Sequence, residues 1–280
     1  MSWNALTAAA LGLVLATSAV AQDDWSRIRV ASEGAYAPWN FTNAAGELDG
    51  FEIELMHELC DRMDAECELV SQAWDGMIPA LQAGRYDAIM AGMSITDARR
   101  EVIAFSRAYA TTPAIFVAPK DSALAAADLP ETRVDLAEVS AAEQALVDQM
   151  KALVDGLTVG VQTATIHENF LRESMGDVTI RTYDTQENLD LDLQAGRIDV
   201  ALADQSGWQP LLEGETGEDF TRVGPGFSGG VFGEGVGVGI RREDQALVDK
   251  FDAAIQSALE DGTVSELAIK WFGFDSAAAP

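Results

Sequence analysis

Arg99, Ser94 and Asp204 are the side chains whose types and spacing point most directly to chemistry in this sequence. Arg99 follows Ser94 closely, in the loop after an apolar run that ends at Ala91-Gly92, and Asp204 closes a similar run far along the chain. An arginine fork holds a carboxylate through two parallel hydrogen bonds. Thr165 and Glu168 have the spacing of a capping box, so a helix opens there with the backbone N–H groups of Thr165 and Ile166 free for the same anion. Asp204 suits an ammonium. Carboxylate and ammonium held side by side describe an α-amino acid.

The elements that must position these groups are written twice in the chain. LQAGRYDA (81–88) returns as LQAGRIDV (193–200), and the same offset past each copy reaches Gly92 and Asp204. The first copy closes a helix, turns at Gly84 and enters a strand over 86–90. Strands are also expected over 28–32 and 67–70, a helix over 51–63, and a short helix capped by Asp75. That rhythm is an open, mostly parallel α/β sheet. It restarts with strands over 115–118, 157–161 and 178–183 and a helix over 142–155. The stretch 121–139 is acidic and aperiodic, and reads as a surface excursion. Two such lobes leave a cleft beyond the carboxyl ends of their strands. Glu33, Tyr36, Trp74, Ala91, Gly92, Ser94 and Arg99 fall at those ends in one lobe, and Thr165, Ile166 and Asp204 in the other.

Composition narrows the partners. The chain of 280 residues is 48% hydrophobic, enough for real cores, and carries a net charge of −28. Such a charge argues against nucleic acid or an anionic membrane. Residues 1–21 contain an apolar run, 6–21, that ends Ala19-Val20-Ala21, the cleavage pattern of a secretory signal, so the mature chain is expected to be soluble and exported. In that setting the two cysteines, Cys60 and Cys67, are expected to form a local disulfide. A metal site would need more ligands than His57 and His167 can add. His57 reads as a helix-surface residue. The glycine-rich stretch 224–240 fails the G-x-G-x-x-G spacing and ends as a strand, which argues against a nucleotide and for a connection back to the first lobe.

The motifs EGAYAPWNF, LDGFE, WDGMIPALQAGRYDAIMAGMSIT with Arg99, VGVQTAT and DGT…LAIKWFG together resemble the periplasmic solute-binding proteins of amino-acid ABC transporters. The lysine/arginine/ornithine, histidine and opine binders are the nearest branch, and the Cys60–Cys67 pair matches it. The resemblance implies a two-lobed periplasmic-binding-protein fold of type II, with residues 22–112 and 229–280 in one lobe, 113–228 in the other, and hinges at 111–114 and 228–234. It implies that Arg99, Ser94 and the backbone at Thr165 and Ile166 hold the ligand carboxylate, and that Asp204 holds the ammonium. Tyr36 and Trp74 would enclose the ligand stem, and Glu33 would face a distal cation. Ala91 and Gly92 stand where related binders carry a polar pair, removing hydroxyls and opening space. Ile166 replaces a frequent threonine. A cationic amino acid or arginine-derived opine is therefore the expected ligand, a membrane permease the expected partner, and a monomer without cofactor the expected form. A neutral amino acid such as glutamine is the rival ligand. A cyclohexadienyl-dehydratase-like enzyme is the other alternative, for which no nucleophile lies beside a histidine.

Overall fold

The computed structural model describes residues 24–127 and 129–280. The secretory signal assigned to residues 1–21 lies outside the described residues. Two sheets dominate the rest. The first has five strands in the order Glu66–Ser71, Arg27–Ser32, Ala88–Ile89, Val236–Ile240 and Ala104–Ala110. The second has six, in the order Thr179–Tyr183, Thr158–Gln162, Val200–Asp204, Ala114–Pro119, Phe220–Ser228 and Arg133–Asp135. The chain passes from the first sheet to the second between Ala110 and Ala114, and returns between Ser228 and Val236.

Both sheets mix parallel and antiparallel pairings, and the crossings explain why. In each sheet the first three strands run parallel and end at the cleft. A strand that begins at a crossing starts from the cleft side, so it must run away from it. Ala114–Pro119 is accordingly antiparallel to Val200–Asp204, and Val236–Ile240 antiparallel to Ala88–Ile89. The departing strands Ala104–Ala110 and Phe220–Ser228 pair antiparallel with these and end at the cleft again.

Alternation along the strands sorts side chains between the two faces of each sheet. In the first lobe Val30 joins Trp39, Phe51, Tyr109, Phe251 and Phe272 on one face, while Ala31 joins Met77, Leu81, Tyr86 and Ile89 on the other. In the second lobe Phe116 packs with Val161, Phe170 and Phe227, and its neighbour Val117 packs with Leu189, Ala201 and Trp208. Helices cover these faces. Phe51–Arg62 carries Leu55, Met56 and Leu59 inward and leaves His57 exposed. Cys60 at its end is bonded to Cys67 at the start of the next strand. The helix expected over 142–155 spans Ala141–Val154, opened by a complete capping box between Ser140 and Glu143.

Three local expectations change. Asp75 sits inside a 3-10 turn, Trp74–Gly76, and caps nothing; the turn before the helix Met77–Gln82 provides its own backbone continuity. The stretch 121–139 is not wholly a surface excursion, because Arg133–Asp135 pairs in parallel with Gly226–Ser228 and buries Val134 completely. A three-residue strand is too short to show a period. The glycine-rich stretch forms two strands joined by a 3-10 turn, Gly230–Phe232.

Candidate functional site

All ten cleft residues singled out in the sequence line one cavity between the sheets: Glu33, Tyr36, Trp74, Ala91, Gly92, Ser94, Arg99, Thr165, Ile166 and Asp204. They arrive there because each follows a strand whose carboxyl end points into the cleft. Gln162, His167, Gln186, Leu202 and Ala203 line it as well, beyond the ten singled out in the sequence. Gln186 was recoverable in the sequence: it opens the helix after the strand Thr179–Tyr183, as Ile166 does after Thr158–Gln162.

The lobes are closed on each other by hydrogen bonds. The Tyr36 hydroxyl donates to Asp204 Oδ2 at 2.8 Å, and Gln162 Nε2 donates to Glu33 Oε1 at 2.7 Å. Trp39 Nε1 donates to Ser206 Oγ at 2.7 Å, and Trp74 Nε1 to the Ala164 carbonyl at 3.4 Å. Gly207 is required by this closure: a Cβ there would stand 2.6 Å from Tyr36 Oη. Ala164 holds a positive φ of 55°, a costly conformation for a residue with a side chain. It turns the chain into the helix Ile166–Ser174, whose Thr165 hydroxyl accepts from the Glu168 N–H. The capping box is only half formed, since Glu168 accepts from the Ala164 N–H instead of reaching Thr165. The first-turn N–H groups of Ile166 and His167 precede the intrahelical ladder and face the anion-binding end of the helix.

Arg99 belongs to the short helix Asp97–Arg100, capped by Thr96. Its Nη1 donates to the Ser94 carbonyl at 3.0 Å, and its guanidinium lies 5.2 Å from the centre of the Trp74 ring. Among the described residues it has no carboxylate within ion-pair distance. Burial pushes its pKa down to about 10, against the opposing charge of Asp204. An unpaired, desolvated cation is a strong attractor for a carboxylate. Asp204 is 7% exposed, and His167 Nε2 stands 3.5 Å from its Oδ1.

Glu33 is 8% exposed, and its carboxyl is pushed up to about 7. Burial is the main cause; the Gln162 hydrogen bond opposes it, and the charges of Glu52 and Asp75 add to it. Glu52 itself is entirely buried. It accepts from Asn40 Nδ2 at 2.8 Å, from the Gly92 N–H at 2.7 Å and from the Tyr109 hydroxyl. Asn40 in turn accepts from the Gly34 N–H at 2.8 Å. One carboxylate thus fixes both the turn after Glu33 and the strand end at Gly92. Gly92 has φ +62°, and a Cβ would meet the Tyr36 ring at 3.4 Å, ordinary contact distance. Glycine is therefore needed there for its backbone conformation, and the space expected at this position is filled by Tyr36. A second cavity opens on the side of the crossings and shares Ser94, Ile166 and Asp204 with the first.

Two mixed α/β lobes, joined by two crossings and closed over a cavity lined by opposite charges, define a two-lobed solute receptor of the type II periplasmic-binding architecture. The chain belongs to the bacterial extracellular solute-binding proteins, family 3, whose model matches residues 28–274. It is 40% identical to the octopine-binding periplasmic protein of Rhizobium meliloti, over 98% of this chain and 99% of that one. It is 31% identical to the L-arginine-binding protein of Pseudomonas aeruginosa, over 89% of this chain and 88% of that one. A periplasmic His/Glu/Gln/Arg/opine family-binding protein from Silicibacter pomeroyi, solved in complex with lysine, superposes with a TM-score of 0.72. It shares 38% identity, with 90% of this chain and 99% of that chain covered. These relatives are binding proteins rather than enzymes.

Proposed function

We propose that this protein is the extracytoplasmic receptor of an amino-acid ABC transporter and binds a cationic amino acid, or an opine derived from arginine, between its lobes. The observation that carries the reading is the charge arrangement of one cavity between the lobes: unpaired Arg99 and the acid Glu33 from one lobe, and Asp204 from the other. Arg99 and the first-turn N–H groups after Thr165 take the α-carboxylate. Asp204 takes the α-nitrogen. Tyr36 and Trp74 flank the stem, and Glu33 with Gln162 receives the distal cation. The second cavity adjoins Asp204 and Ser94, so a substituent on the α-nitrogen has room there; this favours an opine beside the free amino acid.

Residues 22–112 with 229–280 act as one jaw and 113–228 as the other, turning on the segments around 111–114 and 228–234. A ligand touching both jaws stabilises the closed form, because only that form makes both sets of contacts. The closed monomer then docks on a membrane permease. Residues 1–21 direct export and are cleaved off near Ala21. Thermal-shift measurements with arginine, ornithine, lysine, octopine, histidine and glutamine test the reading. Stabilisation by basic ligands or octopine is expected, and stabilisation by neutral ligands alone would overturn the role given to Glu33.

A further inference from the structure

His167 is buried, 6% exposed, and lines the cavity one residue beyond Ile166. It sits in the first turn of a nine-residue helix, with its ring against Phe232 at 5.8 Å between centroids. Its Nε2 has no hydrogen-bond partner among the described residues. Asp204 Oδ1 stands 3.5 Å away, longer than an ordinary hydrogen bond, while Oδ2 of the same carboxylate is already engaged by Tyr36. Both residues line the one cavity, and these two polar atoms do not satisfy each other. Buried polar atoms of this kind ordinarily have partners.

We infer that His167 Nε2 and Asp204 Oδ1 form a two-point acceptor for the nitrogen on the ligand's α-carbon, making His167 a specificity-determining residue. The inference rests on the amino-acid reading above. A single ammonium nitrogen supplies two N–H donors at once and bridges the pair, with the imidazole proton on Nδ1. A hydroxyl in the same place has one proton and satisfies only one acceptor. The opposite jaw makes the contribution necessary. Ala91 and Gly92 carry no side-chain acceptor, and Gly92 is held to glycine by its positive φ. Nitrogen recognition is thereby shifted from the first jaw to the start of the helix in the second. A secondary amine, as in an opine, still carries two protons when charged and fits the same pair.

Calorimetric titration of wild type, His167→Phe and His167→Gln with arginine and with its α-hydroxy analogue tests this. His167→Phe keeps an aromatic ring against Phe232 and removes the acceptor. Arginine affinity is expected to fall at least ~10-fold and affinity for the hydroxy acid less than ~3-fold, the scale of one hydrogen bond to a charged group. His167→Gln, whose carbonyl oxygen can replace Nε2, is expected to keep arginine binding within ~3-fold. Equal losses for both ligands in His167→Phe would reduce His167 to packing and overturn the inference. An unchanged arginine affinity would do the same. A wild type that binds arginine while both variants are silent ends this inference alone, whereas a wild type that binds no α-amino acid ends the amino-acid reading with it. Should His167→Phe not fold, imidazole nitrogen NMR of the wild type decides, since the chain holds only two histidines. A shift of His167 Nε2 with arginine and none with the hydroxy acid supports the inference, and identical spectra refute it.

Discussion

Glu33 offers the sharpest test, because its proton reports the charge of whatever lies beside it. In the closed cleft its carboxyl is pushed up to about 7, mainly by burial. A neutral ligand leaves that environment in place, so the complex gains stability as pH falls below about 7 and Glu33 takes up a proton. A cationic ligand holds Glu33 ionised, and its complex gains nothing from the proton. Arginine and citrulline, in which a neutral urea replaces the guanidinium, make this comparison with one shape. Between about pH 8 and about pH 5.5, the preference for arginine over citrulline is expected to fall roughly 30-fold, close to 2 kcal/mol. The comparison cancels whatever the carboxyl does in the open form, because both ligands start from it. Calorimetry in buffers of different ionisation enthalpy would show citrulline taking up nearly one more proton than arginine near pH 6. Glu33→Gln should make both effects vanish. A preference independent of pH in the wild type would show that Glu33 does not meet the ligand's distal cation.

Two further expectations concern the same cleft. Arg99→Ala should weaken arginine binding by ~2–4 kcal/mol, the scale for stranding a desolvated carboxylate. It should leave agmatine, which has no α-carboxylate, nearly unaffected, and unchanged arginine affinity in calorimetry would sink the carboxylate assignment. Glu52→Ala strands three donors, on Asn40, Gly92 and Tyr109, in a fully buried site. Urea unfolding should register a loss of at least ~3 kcal/mol, and a variant as stable as wild type would show that the network holds nothing in place.

Much of the cleft was legible in the sequence for a physical reason. Strand ends of an open α/β sheet share one edge, and the repeated LQAGR–D motif marks equivalent edges in both lobes. Reading off the residues after each strand therefore collected a set that lines one cavity. Local signals of a few residues also sufficed for the helices Phe51–Arg62 and Ala141–Val154 and for the Cys60–Cys67 bond.

Other features had no local signal. Glu52 reads as one more acid in the first turn of a helix, and its burial depends on Asn40, Gly92 and Tyr109 arriving from three other segments. His167 reads as a helix residue until Phe232 and Asp204 close around it. The antiparallel strands follow from where the crossings enter each sheet, and Arg133–Asp135 is a strand only because Gly226–Ser228 offers it an edge. The two-lobed pattern and the residues that reach the cleft were written in the chain, since periodicity and strand ends are short-range properties. The tertiary structure alone decided which polar groups satisfy one another across that cleft and which are left facing it, because such pairing depends on segments brought together only by folding.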